Sequence, residues 1–431
     1  MVARSESSSL RVVLYSHDSQ GLGHFRRNRA LAHALSHRLP VLTGRQVTGL
    51  LINGVPEAGA DSLPQGFDVV TLPAVNKGVG GYGPKRLDVG MQTVTSVRGD
   101  IVRATLTTFR PDLFIVDRHA LGVNGELEAG LRALRTEHPQ ARIVLGLRDV
   151  LDSPQVVAVE WARVQPALVR ELYDEIWVYG DPRVHDLRRT EEIPTALHDM
   201  VRYQGFLSHG RAELPSGLDP EIPYLITTAG GGSDGFRLCM AAARATVPAG
   251  HRHVIITGPQ MSDADHRAIE LAAGPSTTVV RSIPDAAGPI RRAAASISMA
   301  GYNTVTETLA TDVPALLVPR ETPRREQLIR VESLAAHGSV DLLREGDLTP
   351  QALTRWWAGA VRRRTQRAHL HLGGLREVAR SAARLVCTAR TADARTADAQ
   401  GEGSPETTTA PLAAADQPAA TTTTQELPVA V

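Results

Sequence analysis

Short, continuously apolar runs that alternate with helical segments constrain the fold of this chain more than any other feature. Such runs are typical of strands that are buried on both faces of a parallel sheet. One series precedes residue 206, a second follows residue 223, and helical patterns separate the runs. Two such series predict two doubly wound α/β domains. The runs are RVVLYS, FDVVTL, DLFIVD, RIVLGL and EIWVYG in the first series, and YLITTA, HVIITG, TTVVRS, ASISMA and ALLVP in the second.

The domain boundaries follow from the length of the chain and from the loss of periodicity. The 431 residues exceed the roughly 250–300 residues that one core supports. Gly and Pro accumulate between the two series, and both termini have too few apolar residues to offset the entropy of ordering. We therefore predict disorder at residues 1–9, an N-terminal domain at 10–205, a linker at 206–222, a C-terminal domain at 223–390 and a disordered tail at 391–431.

Composition excludes several classes of function. The formal net charge of +1 indicates no nucleic-acid partner. Lysine occurs only at Lys77 and Lys85, and we assign the excess of arginine to coding bias rather than to a binding surface. The two cysteines lack the spacing of a zinc site or a disulfide framework. No apolar run reaches the roughly 20 residues of a membrane span, and the start of the chain lacks the apolar core of a secretory signal. These features predict a cytoplasmic protein and leave peripheral membrane contact open.

The turn GLGH places a histidine where a ligand is expected. Parallel sheets bind ligands outside the carboxyl ends of their strands, and His24 follows two glycines between the first strand and the first helix. The positive end of a helix disfavours an imidazolium, so His24 is expected to be neutral and able to act as a general base. Asp117, at the end of DLFIVD, is the competing candidate. The alternatives are that His24 is only a turn residue and that Asp117 is only a structural cap.

Other polar residues at the same strand ends are weaker candidates. His119 follows Asp117 closely, and Arg148 and Asp149 follow RIVLGL. For Arg148 and Asp149, an ion pair with each other is the preferred interpretation. The glycine-rich loop at residues 75–86 is typical of a lid over an acceptor, or of an ordinary surface loop.

A run of glycines in the second series predicts an anion site. Gly230, Gly231, Gly232 and Ser233 lie between YLITTA and a helical pattern. Free backbone N–H groups before a helix bind phosphate, and glycines allow its close approach. The run is neither GxGxxG nor a Walker loop, because the lysine of the latter is missing. A plain tight turn is the alternative.

A second glycine turn precedes a helix that contains a glutamate. Gly301 begins this segment, and Glu307 lies one to two turns into the predicted helix. The two oxygens of a carboxylate can accept hydrogen bonds from both hydroxyls of a ribose. The alternative is a solvated surface glutamate.

Several of these motifs together resemble a known family. GLGH, GGGS, AGYNTVTETLATDVPALLVP and RREQLIRVESLAAHG resemble the family 28 glycosyltransferases of the GT-B fold, most strongly over residues 223–338. LGLRDVLDSP and VYGDPRVHDL resemble a separate branch of predicted glycosyltransferases within that group. The resemblance implies two Rossmann-like domains that face a cleft. It also implies inverting sugar transfer from a nucleotide-diphosphate sugar, with no metal and no other cofactor.

The resemblance also implies roles for individual residues. The donor diphosphate loop falls on Gly231, Gly232 and Ser233, and the ribose-binding glutamate falls on Glu307. The base-reading strand end falls near Ser282 and Ile283, and the donor-sugar pair falls on Glu326 and Gln327. Where the family's peptidoglycan enzyme has two glutamines, this chain has Glu326 and Gln327, so the donor sugar stays undetermined. His24 corresponds to the histidine of the family's first glycine loop.

These observations predict a hexosyltransferase that uses a UDP- or dTDP-sugar as donor. The acceptor is a hydroxyl or amine, either lipid-linked or on a small metabolite. One alternative is a nucleotide-sugar 2-epimerase of the same architecture, which needs no acceptor. Another alternative is a nucleotide-sugar-binding protein without catalytic activity.

Overall fold

The computed structural model describes residues 9–17, 23–55, 63–78, 81–211, 222–284 and 286–401. Residues 1–390 form one compact unit, which contains two parallel sheets. Among the described residues, no helix combines the length and the apolar character that crossing a bilayer requires.

The first sheet has seven parallel strands in the order β3-β2-β1-β6-β7-β8-β9. A two-stranded antiparallel hairpin, β4 and β5, lies outside the sheet. The strands are β1 (Leu10–Tyr15), β2 (Val47–Asn53), β3 (Phe67–Thr71), β4 (Val75–Gly78), β5 (Gly81–Pro84), β6 (Leu113–Asp117), β7 (Arg142–Arg148), β8 (Glu175–Tyr179) and β9 (Val201–Tyr203). The helices are α1 (Gly23–Thr43), α2 (Met91–Phe109), α3 (Glu128–Glu137), α4 (Pro154–Val164) and α5 (Pro166–Leu172).

The second sheet has six parallel strands in the order β12-β11-β10-β13-β14-β15. Its strands are β10 (Tyr224–Thr228), β11 (Arg252–Ile256), β12 (Thr277–Val280), β13 (Ala295–Ser298), β14 (Ala315–Leu317) and β15 (Asp341–Leu342). The helices are α6 (Phe236–Ala243), α7 (Asp263–Ala272), α8 (Ala287–Arg292), α9 (Tyr302–Leu309), α10 (Glu326–Ala336), α11 (Pro350–Ala360) and α12 (Gly374–Gly401).

The predicted fold class is confirmed, and each of the ten apolar runs contains a strand. The prediction missed β2, which Gly49 interrupts. The ring of Phe67 fills the place of a side chain there, since a Cβ on Gly49 would lie 2.3 Å from the Phe67 ring. This strand therefore needs a glycine at a position where the sequence pattern favours an apolar residue.

The end of the chain departs from the predicted domain plan. Helix α12 contacts the first sheet, because Ser381 Oγ donates to Gln204 Oε1 at 3.0 Å and Arg384 Nη2 donates to Glu175 Oε1 at 2.8 Å. The backbone of α12 continues to Gly401, beyond residue 391, where the sequence predicted a disordered tail to begin. Residues 402–431, residues 1–8 and most of the predicted linker, 212–221, lie outside the described residues.

A buried ion pair joins the two sheets. Arg330 on α10 donates from Nη2 to Asp149 Oδ1 at 2.7 Å and from Nε to Oδ2 at 2.8 Å, and both side chains are at least 96% buried. Arg330 Nη1 also donates to the carbonyl oxygen of Ala300 at 3.0 Å. Tyr302, at the start of α9, donates to the carbonyl oxygen of Tyr179 at the end of β8. The carboxyl ends of both sheets are therefore held together by polar contacts.

We expect Arg330→Met to lower the free energy of unfolding by about 3–5 kcal/mol, because it leaves the carboxylate of Asp149 buried and unpaired. The double variant Asp149→Asn/Arg330→Met removes that lone charge and should recover part of the loss. Urea unfolding measures both effects. Arg344→Met is the control, since Arg344 is half-exposed in its pair with Glu321 and should change stability by less than about 1 kcal/mol. A double variant less stable than Arg330→Met would contradict the argument.

Candidate functional site

His24 and Asp117 are in direct contact. Nδ1 of His24, on the second residue of α1, lies 2.5 Å from Oδ2 of Asp117, the last residue of β6. Arg27, one turn further along α1, donates from Nε to Oδ1 at 2.9 Å and from Nη2 to Oδ2 at 2.5 Å. The Asp117 side chain is 1% exposed and that of His24 is 20% exposed. The two residues predicted to compete for one role are therefore hydrogen-bonded partners.

The charge of Asp117 determines which nitrogen of His24 carries the proton. Burial favours a higher pKa for Asp117, but the charge of Arg27 and the contact with His24 hold that pKa well below its usual range. Asp117 is thus an ionised carboxylate, which can only accept hydrogen bonds. We assign the proton of the shorter contact, from His24 to Oδ2 of Asp117, to Nδ1, which leaves the lone pair of the neutral ring on Nε2. Arg27 Nη2 also lies 3.0 Å from Nδ1. This arrangement orients an imidazole as a proton acceptor.

Two more histidines pack edge-on near His24. The ring centroids of His17 and His24 are 4.6 Å apart, and those of His17 and His119 are 4.5 Å apart. Burial lowers the pKa values of His17 and His119 well below their usual range, and nearby cations including Arg118 lower them further. Both rings are therefore neutral near pH 7. The described ranges contain no group of three or more His, Cys, Asp or Glu side chains placed to hold a metal ion.

The expected ion pair between Arg148 and Asp149 does not form in the described structure, because Arg330 binds Asp149 instead. Arg148 ends β7 at the same sheet edge as Asp117, and its Nε is buried without a described hydrogen-bond partner. Burial, followed by the charge of Arg330, lowers the pKa of Arg148 to about 10. Arg148 is therefore a cation at the sheet edge that pairs with no carboxylate among the described residues.

The glycine run forms the loop between β10 and α6. Gly230 and Gly232 have positive φ angles of 65° and 97°. A Cβ on Gly232 would lie 2.5 Å from the carbonyl oxygen of Thr257, so only glycine fits there. The amide of Gln260 donates to the carbonyl oxygen of Gly231 at 2.9 Å, which joins the glycine loop to the segment between β11 and α7. Ser233 Oγ donates to Asp234 Oδ1 at the end of this loop.

Glu307 is buried, with 3% of its side chain exposed, so it is not a solvated surface glutamate. Its Oε1 accepts from Arg26 Nη2 at 2.6 Å and from Arg211 Nη1 at 3.3 Å. Gly301 is the N-cap residue of the helix that contains Glu307. A cavity of about 200 Å³ is lined by Glu307, Arg211 and Arg291, among others. Its lining comes from residues 208–211 of the predicted linker and from residues 287–311 of the second domain, and it adjoins the predicted ribose site at Glu307.

The remaining predicted donor residues lie at other strand ends of the second sheet. Ser282 is exposed after β12, and Ile283 packs partly against a small apolar cluster that includes Ile290. Gln327 Oε1 accepts from the amides of Ala300 at 3.2 Å and of Arg320 at 3.1 Å, so its carbonyl oxygen ties two loops together.

Glu326 is the other member of the predicted donor-sugar pair. Its Oε1 accepts from Arg320 Nη2 at 2.7 Å, and its Oε2 is buried without a described partner. Sequence reasoning missed Arg26, Arg27 and Arg320. The signal for the first two was present, because arginines two and three residues after a candidate histidine share the start of its helix.

Comparison with known proteins agrees with this architecture. Residues 226–368 match the glycosyltransferase family 28 C-terminal domain, and no curated protein matches the sequence. The glycosyltransferase SnogD from Streptomyces nogalater is 18% identical, with a TM-score of 0.52 over 91% of this chain and 99% of that chain. The glycosyltransferase VinC, solved in complex with dTDP, is 15% identical, with a TM-score of 0.51 over 91% of this chain and all of the other.

A protein from Listeria monocytogenes assigned as a UDP-N-acetylglucosamine 2-epimerase is 12% identical, with a TM-score of 0.52 over 93% of this chain and 100% of that one. At such identities the likeness shows the fold alone. The fold is GT-B, and the matching domain makes this protein a glycosyltransferase. More particularly, its second domain is of the family 28 type over residues 226–368.

The contacts of Asp117 predict a pH dependence. Because the folded pKa of Asp117 lies below the unfolded value of about 3.9, its carboxylate stabilises the fold above that value. This contribution is lost as the pH falls toward the folded pKa. The wild type should therefore be more stable than Asp117→Asn at pH 7, and the difference should shrink below about pH 4. Urea unfolding of both proteins at pH 7 and pH 3.5 measures it. A difference that is constant between these pH values would disprove the charge argument.

Proposed function

We propose that this glycosyltransferase moves a sugar from a UDP- or dTDP-sugar to a hydroxyl or amine acceptor, with inversion and without a metal ion. The observation that carries the proposal is the contact between His24 and Asp117 at the start of α1. It leaves a lone pair on Nε2 of a partly exposed histidine at the carboxyl end of the first sheet. A cytoplasmic location and an acceptor that is lipid-linked or a small metabolite belong to the same proposal.

The chemistry is one displacement. Nε2 of His24 takes the proton of the acceptor while the acceptor oxygen or nitrogen forms a bond to the anomeric carbon. The bond from that carbon to the diphosphate oxygen breaks, and its electron pair stays on the diphosphate. Attack opposite the leaving group inverts the anomeric carbon. Asp117 stabilises the imidazolium that forms, and Arg27 holds Asp117 in place.

The donor is proposed to lie along the second sheet. The loop Gly230–Ser233 binds its diphosphate, Glu307 binds the ribose, Ser282 and Ile283 read the base, and Glu326 and Gln327 contact the sugar. Support comes from the buried carboxylate of Glu307 and from the backbone of Gly232, where a Cβ would clash. The ribose hydroxyls then share or replace Arg26 on Oε1 of Glu307.

Contacts of α9 support a link between the donor and the base. Asn303 Nδ2 on α9 donates to the carbonyl oxygen of Gly23 at 2.8 Å, one residue before His24. Arg26 is two residues after His24 and binds Glu307 on α9. The helix that contains the ribose glutamate is thus in contact with the first turn of the helix that contains the base.

A nucleotide-sugar 2-epimerase is the second candidate. The fold likeness to the protein from Listeria monocytogenes favours it, and so does the buried, unpartnered Oε2 of Glu326 beside the proposed sugar site. Incubation with donor alone separates the two, because an epimerase changes the sugar without an acceptor and a transferase requires one. The third possibility, a binding protein without turnover, is excluded by any donor hydrolysis or transfer that depends on His24.

Donor binding is tested by thermal shift with UDP, dTDP and their sugars. A ligand at 100 times its dissociation constant stabilises the fold by about 2.7 kcal/mol. Glu307→Gln should weaken the affinity for a nucleoside and the affinity for its diphosphate by the same factor, because both ligands contain the ribose. It should raise KM while kcat stays near the wild-type value. A collapsed kcat with an unchanged KM would contradict the ribose role.

The base is tested by His24→Ala. Transfer should fall by roughly 10²- to 10⁴-fold, while nucleotide affinity stays near the wild-type value because the proposed donor contacts lie in the second domain. The double variant His24→Ala/Asp117→Asn should be about as slow as His24→Ala, since groups that act as a unit are not additive. If Asp117→Asn abolishes turnover while His24→Ala retains most of it, Asp117 is the base.

A further inference from the structure

We infer that Arg320 binds the donor diphosphate and neutralises it as the leaving group, an inference that rests on the proposed function. Arg320 follows β14 at the carboxyl end of the second sheet. Neither the glycine run nor the donor-sugar pair includes a cation. Arg320 is a cation that contacts Glu326 of the donor-sugar pair and Asp234, the residue directly after the glycine run.

The guanidinium of Arg320 connects the two segments. Nη1 donates to Oδ2 of Asp234, the residue directly after the glycine run, at 2.8 Å. Nη2 donates to Oε1 of Glu326, in the donor-sugar pair, at 2.7 Å. The bond that breaks during transfer joins the diphosphate to the sugar. Arg320 therefore lies between the parts of the site proposed to hold the two sides of that bond.

The charge of Asp234 favours a rearrangement of the Arg320 contacts when a diphosphate binds. Asp234, about one-third exposed, places a carboxylate beside the loop to which the diphosphate would add further negative charge. The Nε of Arg320 is buried without a described hydrogen-bond partner, so the guanidinium has donor capacity left. We expect the guanidinium to exchange Asp234 for a diphosphate oxygen and to keep its bond to Glu326. As the bond to the anomeric carbon breaks, the electron pair that moves onto the diphosphate strengthens this contact.

If Arg320 exchanges Asp234 for a diphosphate oxygen, substitutions of Arg320 and of Asp234 should change the affinity for the nucleoside diphosphate in opposite directions. Arg320→Met should weaken the affinity for the nucleoside diphosphate by about 10- to 100-fold, because it removes charge-assisted hydrogen bonds. Asp234→Asn should strengthen the affinity for the nucleoside diphosphate by about 2- to 10-fold, because it removes a competing like charge. Neither variant should change the affinity for the nucleoside by more than about twofold. Arg320→Met should also lower kcat by about 100-fold at saturating donor.

The experiment is calorimetric titration of the full chain with uridine and UDP, and with thymidine and dTDP. Arg344→Met is the matched control, since Arg344 pairs with Glu321, the neighbour of Arg320, outside the proposed site. Thermal unfolding of each variant reports whether it is folded. A purely structural role for the Arg320–Asp234 pair predicts that both variants weaken the nucleoside and the diphosphate alike, and that result overturns the inference. A wild type that binds none of the four ligands overturns the proposed donor class, and the role of Arg320 with it.

Discussion

The buried pair of Asp149 and Arg330 is the contact on which the relation between the two domains depends. Burying two charges is unfavourable unless their hydrogen bonds are satisfied, and here Arg330 donates to Asp149 and to the carbonyl oxygen of Ala300. The guanidinium groups of Arg330 and Arg27 both lie over the ring of Tyr302, at 5.8 Å and 5.5 Å from its centroid. Arg27 in turn binds Asp117. The interdomain contact and the candidate base are therefore parts of one network, and a change in domain contact would alter the surroundings of Asp117.

The same network explains why the start of α1 is well placed for chemistry. Helix α9 of the second domain contacts α1 on both sides of His24, through Gly23 and Arg26. A ligand that binds Oε1 of Glu307 shares or replaces Arg26 and therefore acts on the first turn of α1. In the proposed function, this connection links donor binding to the base through two defined contacts.

The sequence predicted the sheets because continuous apolar runs have few other uses in an α/β chain. It also located His24 and Asp117 at the correct element ends and Glu307 inside the helix after a glycine turn, since strand ends and glycine turns are local features. It did not reveal their partners. His24 and Asp117 are 93 residues apart, and Arg26 and Glu307 are 281 apart, so no local pattern connects them. Because the arginine excess was assigned to coding bias, no role was predicted for Arg26 or Arg27, which form ion pairs with Glu307 and Asp117. Composition does not distinguish a solvated arginine from a buried one.

Arginine–carboxylate pairs recur at each step of the proposed reaction, and their arrangement has a chemical consequence. Arg27 binds Asp117 next to the proposed base, Arg26 binds Glu307 at the proposed ribose site, and Arg320 binds Asp234 and Glu326 between the proposed diphosphate and sugar sites. Each carboxylate already has an arginine partner that orients it before a ligand arrives, so ligand binding requires an exchange of partners. Asp117 differs from the others because it binds a histidine as well as an arginine, with Arg27 on Oδ1 and both Arg27 and His24 on Oδ2. In the proposed reaction, Asp117 therefore orients the base, while the other carboxylates exchange their arginine partners for the donor.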